Sequence, residues 1–206
     1  DEALSGAIKL ARYSAHREGR SGHGVLIDEF GQFEHFAATE FSDGKRIEYI
    51  PGLSVHSRLE QGLADADSQS PPGFLVIESR TLTREAAAAV RRSLEQRQTA
   101  VRPVLIVYQS DENIPAEDAV QAGRPDVCPE IVVFDESWTR REVPFGAFVA
   151  ARRLFRHWNR CGMATFHSTT FQPNSVSSLH LLRCLQDSQP AFMRQHADIL
   201  DWIQCD

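Results

Sequence analysis

The side chains most able to do covalent or acid–base chemistry are spread along the 206 residues without a fixed arrangement. His23, His35, His56, His157, His167 and His180 have the chemistry of general bases. None stands at a spacing from a cysteine or carboxylate that dictates a hydrogen bond, so each reads as a surface or satisfied core residue. Cys128, Cys161, Cys184 and Cys205 form no C-x-x-C pair, which predicts free thiols, and Cys161-Gly162 reads as a helix C-cap. With no His-x-x-x-His pattern and no Cys/His cluster, no metal site is expected. Amine chemistry is scarce as well. Lys9 and Lys45 are the two lysines among 22 basic residues, one on a helix-like segment and one in a polar turn.

A composition of 42% hydrophobic and 24% charged residues suits a single globular domain over 1–206. A net charge of -6 argues against nucleic acid as a partner. The absence of a long apolar run or secretory segment argues against a membrane partner and for a cytoplasmic location. The chain starts in a helical pattern without Met, as expected of a domain cut from a longer polypeptide.

Apolar spacing at Leu4, Ala7, Ile8 and Ala11 predicts a helix over 3–17, ended by Gly19. Strands are predicted at Val25–Ile27 and Arg46–Ile50, and a helix over 54–65 on His56, Leu59 and Leu63. Phe74–Ile77, an alanine-rich helix capped by Thr83 and running to about Gln98, and Val104–Val107 read as a βαβ unit. Residues 116–122 read as a short helix, Ile131–Phe134 as a third buried strand, and Phe145–Trp158 as an amphipathic helix. Two more helices follow, over 175–186 and 191–204. The fold class is α/β, a mostly parallel central sheet flanked by helices.

Four segments carry a family likeness when taken in order. They are Asp1-Glu-Ala-Leu-Ser-Gly-Ala-Ile-Lys-Leu-Ala-Arg12, Pro129-Glu-Ile-Val-Val-Phe-Asp-Glu136, Val143-Pro-Phe-Gly-Ala-Phe-Val-Ala-Ala-Arg152 and His167-Ser-Thr-Thr-Phe-Gln-Pro-Asn174. Together they resemble the class III (ornithine-type) aminotransferases, pyridoxal-phosphate enzymes of fold type I. The resemblance implies the large domain of that fold, with no room for the small one. It also implies a strand ending in the Schiff-base lysine, a Pro-x-Gly-Ala turn into a helix, and a threonine loop reaching the partner subunit's phosphate.

Set against that pattern, Glu78 matches the strand ending in Glu-Pro, while Tyr108 and Gln109 stand where Asp-Glu is expected. Glu136 takes the place of the Schiff-base lysine, and Phe30-Gly-Gln-Phe33 lies roughly at the ring-stacking position. Thr170 keeps the phosphate-loop type. Glu78, Tyr108, Gln109, Glu136 and Thr170 are therefore read as vestigial cofactor positions with no catalytic residue among them. No pyridoxal phosphate is expected, because covalent capture of its aldehyde needs an amine.

The resemblance then implies a degenerate domain: a homodimer that scaffolds or binds a biosynthetic partner, plausibly in a polyketide or nonribosomal peptide assembly. One alternative is an unrelated α/β interaction domain, or an enzyme with non-pyridoxal chemistry. Another is a receiver-like domain, which residues 74–86 and Ile131–Asp135 also resemble, with Asp135 as phospho-acceptor.

Overall fold

The computed structural model describes residues 2–37, 39–40, 44, 46–47, 50–66, 72–96, 102–109, 128–156, 158 and 174–187. Within these, α1 (Glu2–Arg17) leads to β1 (Gly24–Ile27), the small antiparallel ribbon β2 (Thr39–Glu40) and β3 (Arg46–Ile47), and β4 (Leu53–His56). Then come α2 (Leu59–Ala66), β5 (Phe74–Glu78), α3 (Arg84–Glu95), β6 (Val104–Gln109) and β7 (Ile131–Phe134). β8 (Ala147–Ala150), α4 (Arg152–Phe155) and α5 (Ser175–Asp187) follow. The main sheet has the order β4-β1-β5-β6-β7-β8, parallel from β4 to β7, with β8 antiparallel to β7. It is the α/β, mostly parallel sheet that the apolar runs predict.

Every residue of β1, β5, β6 and β7 is buried, because helices cover both faces. Successive side chains point to opposite faces, so each strand serves two cores. Leu26, Phe74, Val76, Ile106 and Val133 pack with Leu4, Ile8 and Ala11 of α1. Val25, Ile27, Leu75, Ile77, Leu105 and Val107 pack with Leu59 of α2 and Val90 and Leu94 of α3. The passage from α1 into the sheet is tight. A Cβ on Gly73 would collide with the backbone oxygen of Ser21 and stand 2.7 Å from the Ala15 Cβ, so only glycine fits there.

Thr83 caps α3 as its position predicts, its hydroxyl accepting from the Ala86 N–H at 3.2 Å. Replacing Thr83 with alanine orphans that donor and is expected to cost about 1 kcal/mol, read from urea unfolding.

Two sequence expectations are corrected. The helix foreseen over 54–65 starts at Leu59; the residues before it form β4, paired with β1 from Gly24↔Leu53 to Ile27↔His56. The helix foreseen over Phe145–Trp158 is β8 followed by the single turn α4. Ala147-Phe-Val-Ala150 is too short an apolar run for periodicity to separate strand from helix. The edge of β7 decides, because its backbone groups need partners and β8 supplies them from Phe134↔Ala147 to Ile131↔Ala150. The Pro144-Phe-Gly-Ala147 turn thus enters a strand. The helices predicted over 116–122 and 191–204 lie outside the described residues, and of the strand predicted over Arg46–Ile50 the described part is Arg46–Ile47.

Candidate functional site

A parallel sheet fed by helices opens a crevice at the carboxyl ends of its strands. Three of the sequence-predicted residues meet there directly. Glu78 ends β5 opposite Tyr108 of β6, and Gln109 follows, opposite Phe134 of β7. Glu136 stands exposed just past β7, in the first turn of the 3-10 helix Glu136–Thr139. Thr170 lies outside the described residues.

Asp28, which follows β1, shapes the roof. Its carboxylate is almost wholly buried and accepts from the backbone N–H of Gln32 and of Phe33, both at 2.8 Å. This closes a turn through Gly31, whose φ of 68° is the left-handed region that glycine adopts at no steric cost. The turn folds Phe33 back over the strand ends. Phe33 is buried and meets the Tyr108 ring edge-on, with centroids 4.8 Å apart, while Phe36 closes its other side at 5.9 Å. Phe33, which the resemblance sets roughly at the ring-stacking position, thus packs on the chain's own Tyr108 and Phe36.

Beneath this plug lies a carboxylate network. The Tyr108 hydroxyl donates to Asp135 Oδ2 at 3.2 Å, and Asp135 Oδ1 accepts from the Ser137 backbone N–H at 2.9 Å and from its hydroxyl. Both oxygens of Asp135 are engaged, which leaves the phospho-acceptor alternative without support in the geometry. The Glu78 side chain is fully buried. Its Oε1 pairs with the Arg80 guanidinium, and its Oε2 has no hydrogen-bond partner. Arg80 in turn donates to Gln32 Oε1 at 3.1 Å and lies over the Phe30 ring at 4.3 Å.

These surroundings set the protonation behaviour. Burial raises the Glu78 carboxyl above the usual carboxylate range; Arg80 opposes the shift, and the charges of Asp28 and Asp135 add to it. Burial, and then the Asp135 carboxylate that accepts its hydrogen bond, pushes the Tyr108 phenol well above its ordinary value. Tyr108 is therefore a neutral donor across the physiological range. What the arrangement can do is hold hydrogen bonds and exclude anions. Among the described residues it offers no amine.

The sequence reading missed Asp28 and Arg80 as members of this site, and took Phe33 only as a blurred stacking position. Arg80 sits two residues past a strand-end glutamate, the one local signal that the pairing leaves. Among the described residues no group of three or more His, Cys, Asp or Glu side chains could hold a metal ion.

The pyridoxal phosphate implied by the resemblance does not fit these residues. No lysine reaches the crevice among the described residues, since Lys9 is exposed on α1. Tyr108, where the resemblance expects an acid, is a neutral phenol and supplies no charge for a ring nitrogen. The charges acting on Glu78 and Tyr108 at the strand ends are those of Asp28, Glu78, Asp135 and Glu136, with Arg80 already committed to Glu78, a surrounding that disfavours an added anion.

No protein-family model and no curated protein sequence matches the chain. Solved structures do. An ornithine aminotransferase from Toxoplasma gondii superposes with a TM-score of 0.63 at 19% identity, over 92% of this chain and 48% of that one. A Bacillus anthracis aminotransferase gives a TM-score of 0.67 at 13% identity, over 95% and 51%. An (S)-enantioselective omega-transaminase from Thermomicrobium roseum gives 0.61 at 17%, over 95% and 51%. The chain thus spans about half the length of the aminotransferases that it resembles. At these identities the likeness is one of architecture: the chain has the α/β fold of the large domain of pyridoxal-phosphate-dependent aminotransferases.

Proposed function

We propose that this chain is a degenerate aminotransferase-like domain that acts by binding rather than by amine transfer, as a homodimer that scaffolds a biosynthetic assembly. One observation carries the reading: the strand ends hold the Phe33–Tyr108 pair and the buried carboxylates Asp28 and Glu78, with an acid, Glu136, following β7 where the resemblance needs an amine. A transaminase must hold its coenzyme's aldehyde covalently, and neither a phenol nor a carboxylate can form that bond. The surface of α5 supports the dimer. Val176, Leu179 and Leu182 recur on one stripe of the helix and are 68%, 67% and 50% exposed, an apolar patch suited to a protein contact. A polyketide or nonribosomal peptide setting rests on the Ser168-Thr-Thr-Phe171 loop, through the sequence resemblance alone.

Mixing the chain with stoichiometric pyridoxal phosphate is expected to give no aldimine absorbance and, after borohydride, no adduct by mass spectrometry. Sedimentation is expected to give twice the 23.1 kDa chain mass. An adduct localised to one internal lysine overturns the reading of lost chemistry, and a monomer overturns the scaffold.

A further inference from the structure

We propose that the groove between β8 and α4 docks an extended acidic and apolar segment of a partner protein. The inference goes beyond the reading above and does not depend on it. β8 is the last strand of the main sheet, and its antiparallel run sets Ala150 opposite Ile131, at the amino end of β7. α4 begins there, at the end of the sheet opposite the crevice.

Phe148, Val149, Ala150, Arg152, Phe155 and Arg156 line an open groove of about 560 Å³. Phe155 is 44% exposed, a large ring left in water on a short helix. Arg153, between the two lining arginines, is taken by Glu130 and lies 4.0 Å from Glu18. Arg152 and Arg156 have no carboxylate partner among the described residues.

Spacing and charge select the occupant. Arg152 and Arg156 are four residues apart in helical backbone, since Arg156 caps α4 in the αR conformation, and so lie on one face about 6 Å apart along the axis. In an extended chain, residues i and i+2 share a face and are separated by roughly 6.6 Å. A segment with acids at alternate positions therefore presents one carboxylate to each guanidinium. Its intervening apolar residues face the apolar part of the groove wall. A second copy of this chain is the poorer occupant, because a two-fold contact through the same face would bring both arginine pairs together.

The test is fluorescence anisotropy with the full chain and a dye-labelled, N-acetylated octapeptide that alternates glutamate with valine. Binding is expected to saturate at concentrations on the order of 10 μM, in the weak range of transient contacts. It is expected to weaken about tenfold on Arg152→Glu or Arg156→Glu, and again on raising salt to about 0.5 M. Both arginines are exposed, so the variants are expected to keep the parent circular dichroism. Equal binding of a lysine–valine peptide, or of a peptide with its glutamates in one block, overturns the proposal. So does unchanged affinity in both variants, or self-association that the same substitutions abolish. The borohydride result bears on none of these outcomes, so the two readings fail separately.

Discussion

Replacing Phe33 by alanine is expected to destabilise the domain by about 4 kcal/mol, the usual cost of emptying a buried phenylalanine site. The ring sits between Phe36 and Tyr108 and is covered by the turn that Asp28 holds, so nothing nearby can collapse into the space without breaking the two Asp28 hydrogen bonds. For a chain of this size the loss corresponds to a fall in Tm of about 10 °C. Phe33→Leu keeps most of the apolar volume and is expected to cost less than half as much. If Phe33 is a plug, the alanine variant has a ring-sized apolar void, and added benzene should recover part of the lost Tm in the variant and none in the parent. Equal stability of parent and alanine variant in thermal and urea unfolding would show that the crevice is not closed in this way.

Arg80→Met is the second large effect. Glu78 is fully buried with one oxygen unpartnered, and Arg80 supplies the charge that its other oxygen meets. Removing one partner of a buried pair leaves an uncompensated charge, with an expected cost of about 3 kcal/mol at neutral pH. The pH dependence fixes the sign. The folded-state pKa of Glu78 is already raised by burial, so its contribution is fully present below the unfolded value near 4.5 and is lost as pH rises through the folded value. Without Arg80 that folded value moves further up. The methionine variant should therefore come close to the parent in stability in mild acid and fall behind as pH rises. Adding Glu78→Gln to Arg80→Met removes the titrating group, and the double variant is expected to regain most of the stability and lose the extra pH dependence. Urea midpoints across pH for the parent, Arg80→Met, Glu78→Gln and the double variant measure the cycle, and a cost independent of pH would mean that Arg80 acts by packing on Phe30 instead.

Both experiments test the same physical point, that the strand ends are held by packed rings and a buried ion pair. Active sites of this architecture need space and charge at the carboxyl ends of the strands. Here the strand ends carry packed aromatic rings and a buried carboxylate that Arg80 pairs through one oxygen. The groove beside α4 has the reverse character: open, apolar and positively rimmed. If the chain has a partner-facing surface of its own, chemistry favours that end of the sheet and the exposed stripe on α5.

Local pattern in the sequence was enough for the core of the fold. Phe74–Ile77, Val104–Val107 and Ile131–Phe134 are apolar on both faces and rich in β-branched residues, which suits a covered parallel sheet. Thr83 before an alanine-rich stretch states its own helix, because a cap and a propensity act within a few residues. The positions Glu78, Tyr108 and Gln109 were legible at strand ends for the same reason, while Glu136 falls in the 3-10 turn past β7.

What only the tertiary structure decided involves partners distant in the chain. Whether Ala147-Phe-Val-Ala150 became strand or helix turned on the open edge of β7, and Leu53–His56 went to the edge of β1 in the same way. The packing at the strand ends turned on Asp28 seating Phe33 against Tyr108, and on Gln32 and Glu78 sharing Arg80. Such contacts join residues whose own neighbours in sequence say nothing of each other. Backbone hydrogen bonds and buried charges must find partners wherever the folded chain brings them, and that demand is settled in three dimensions.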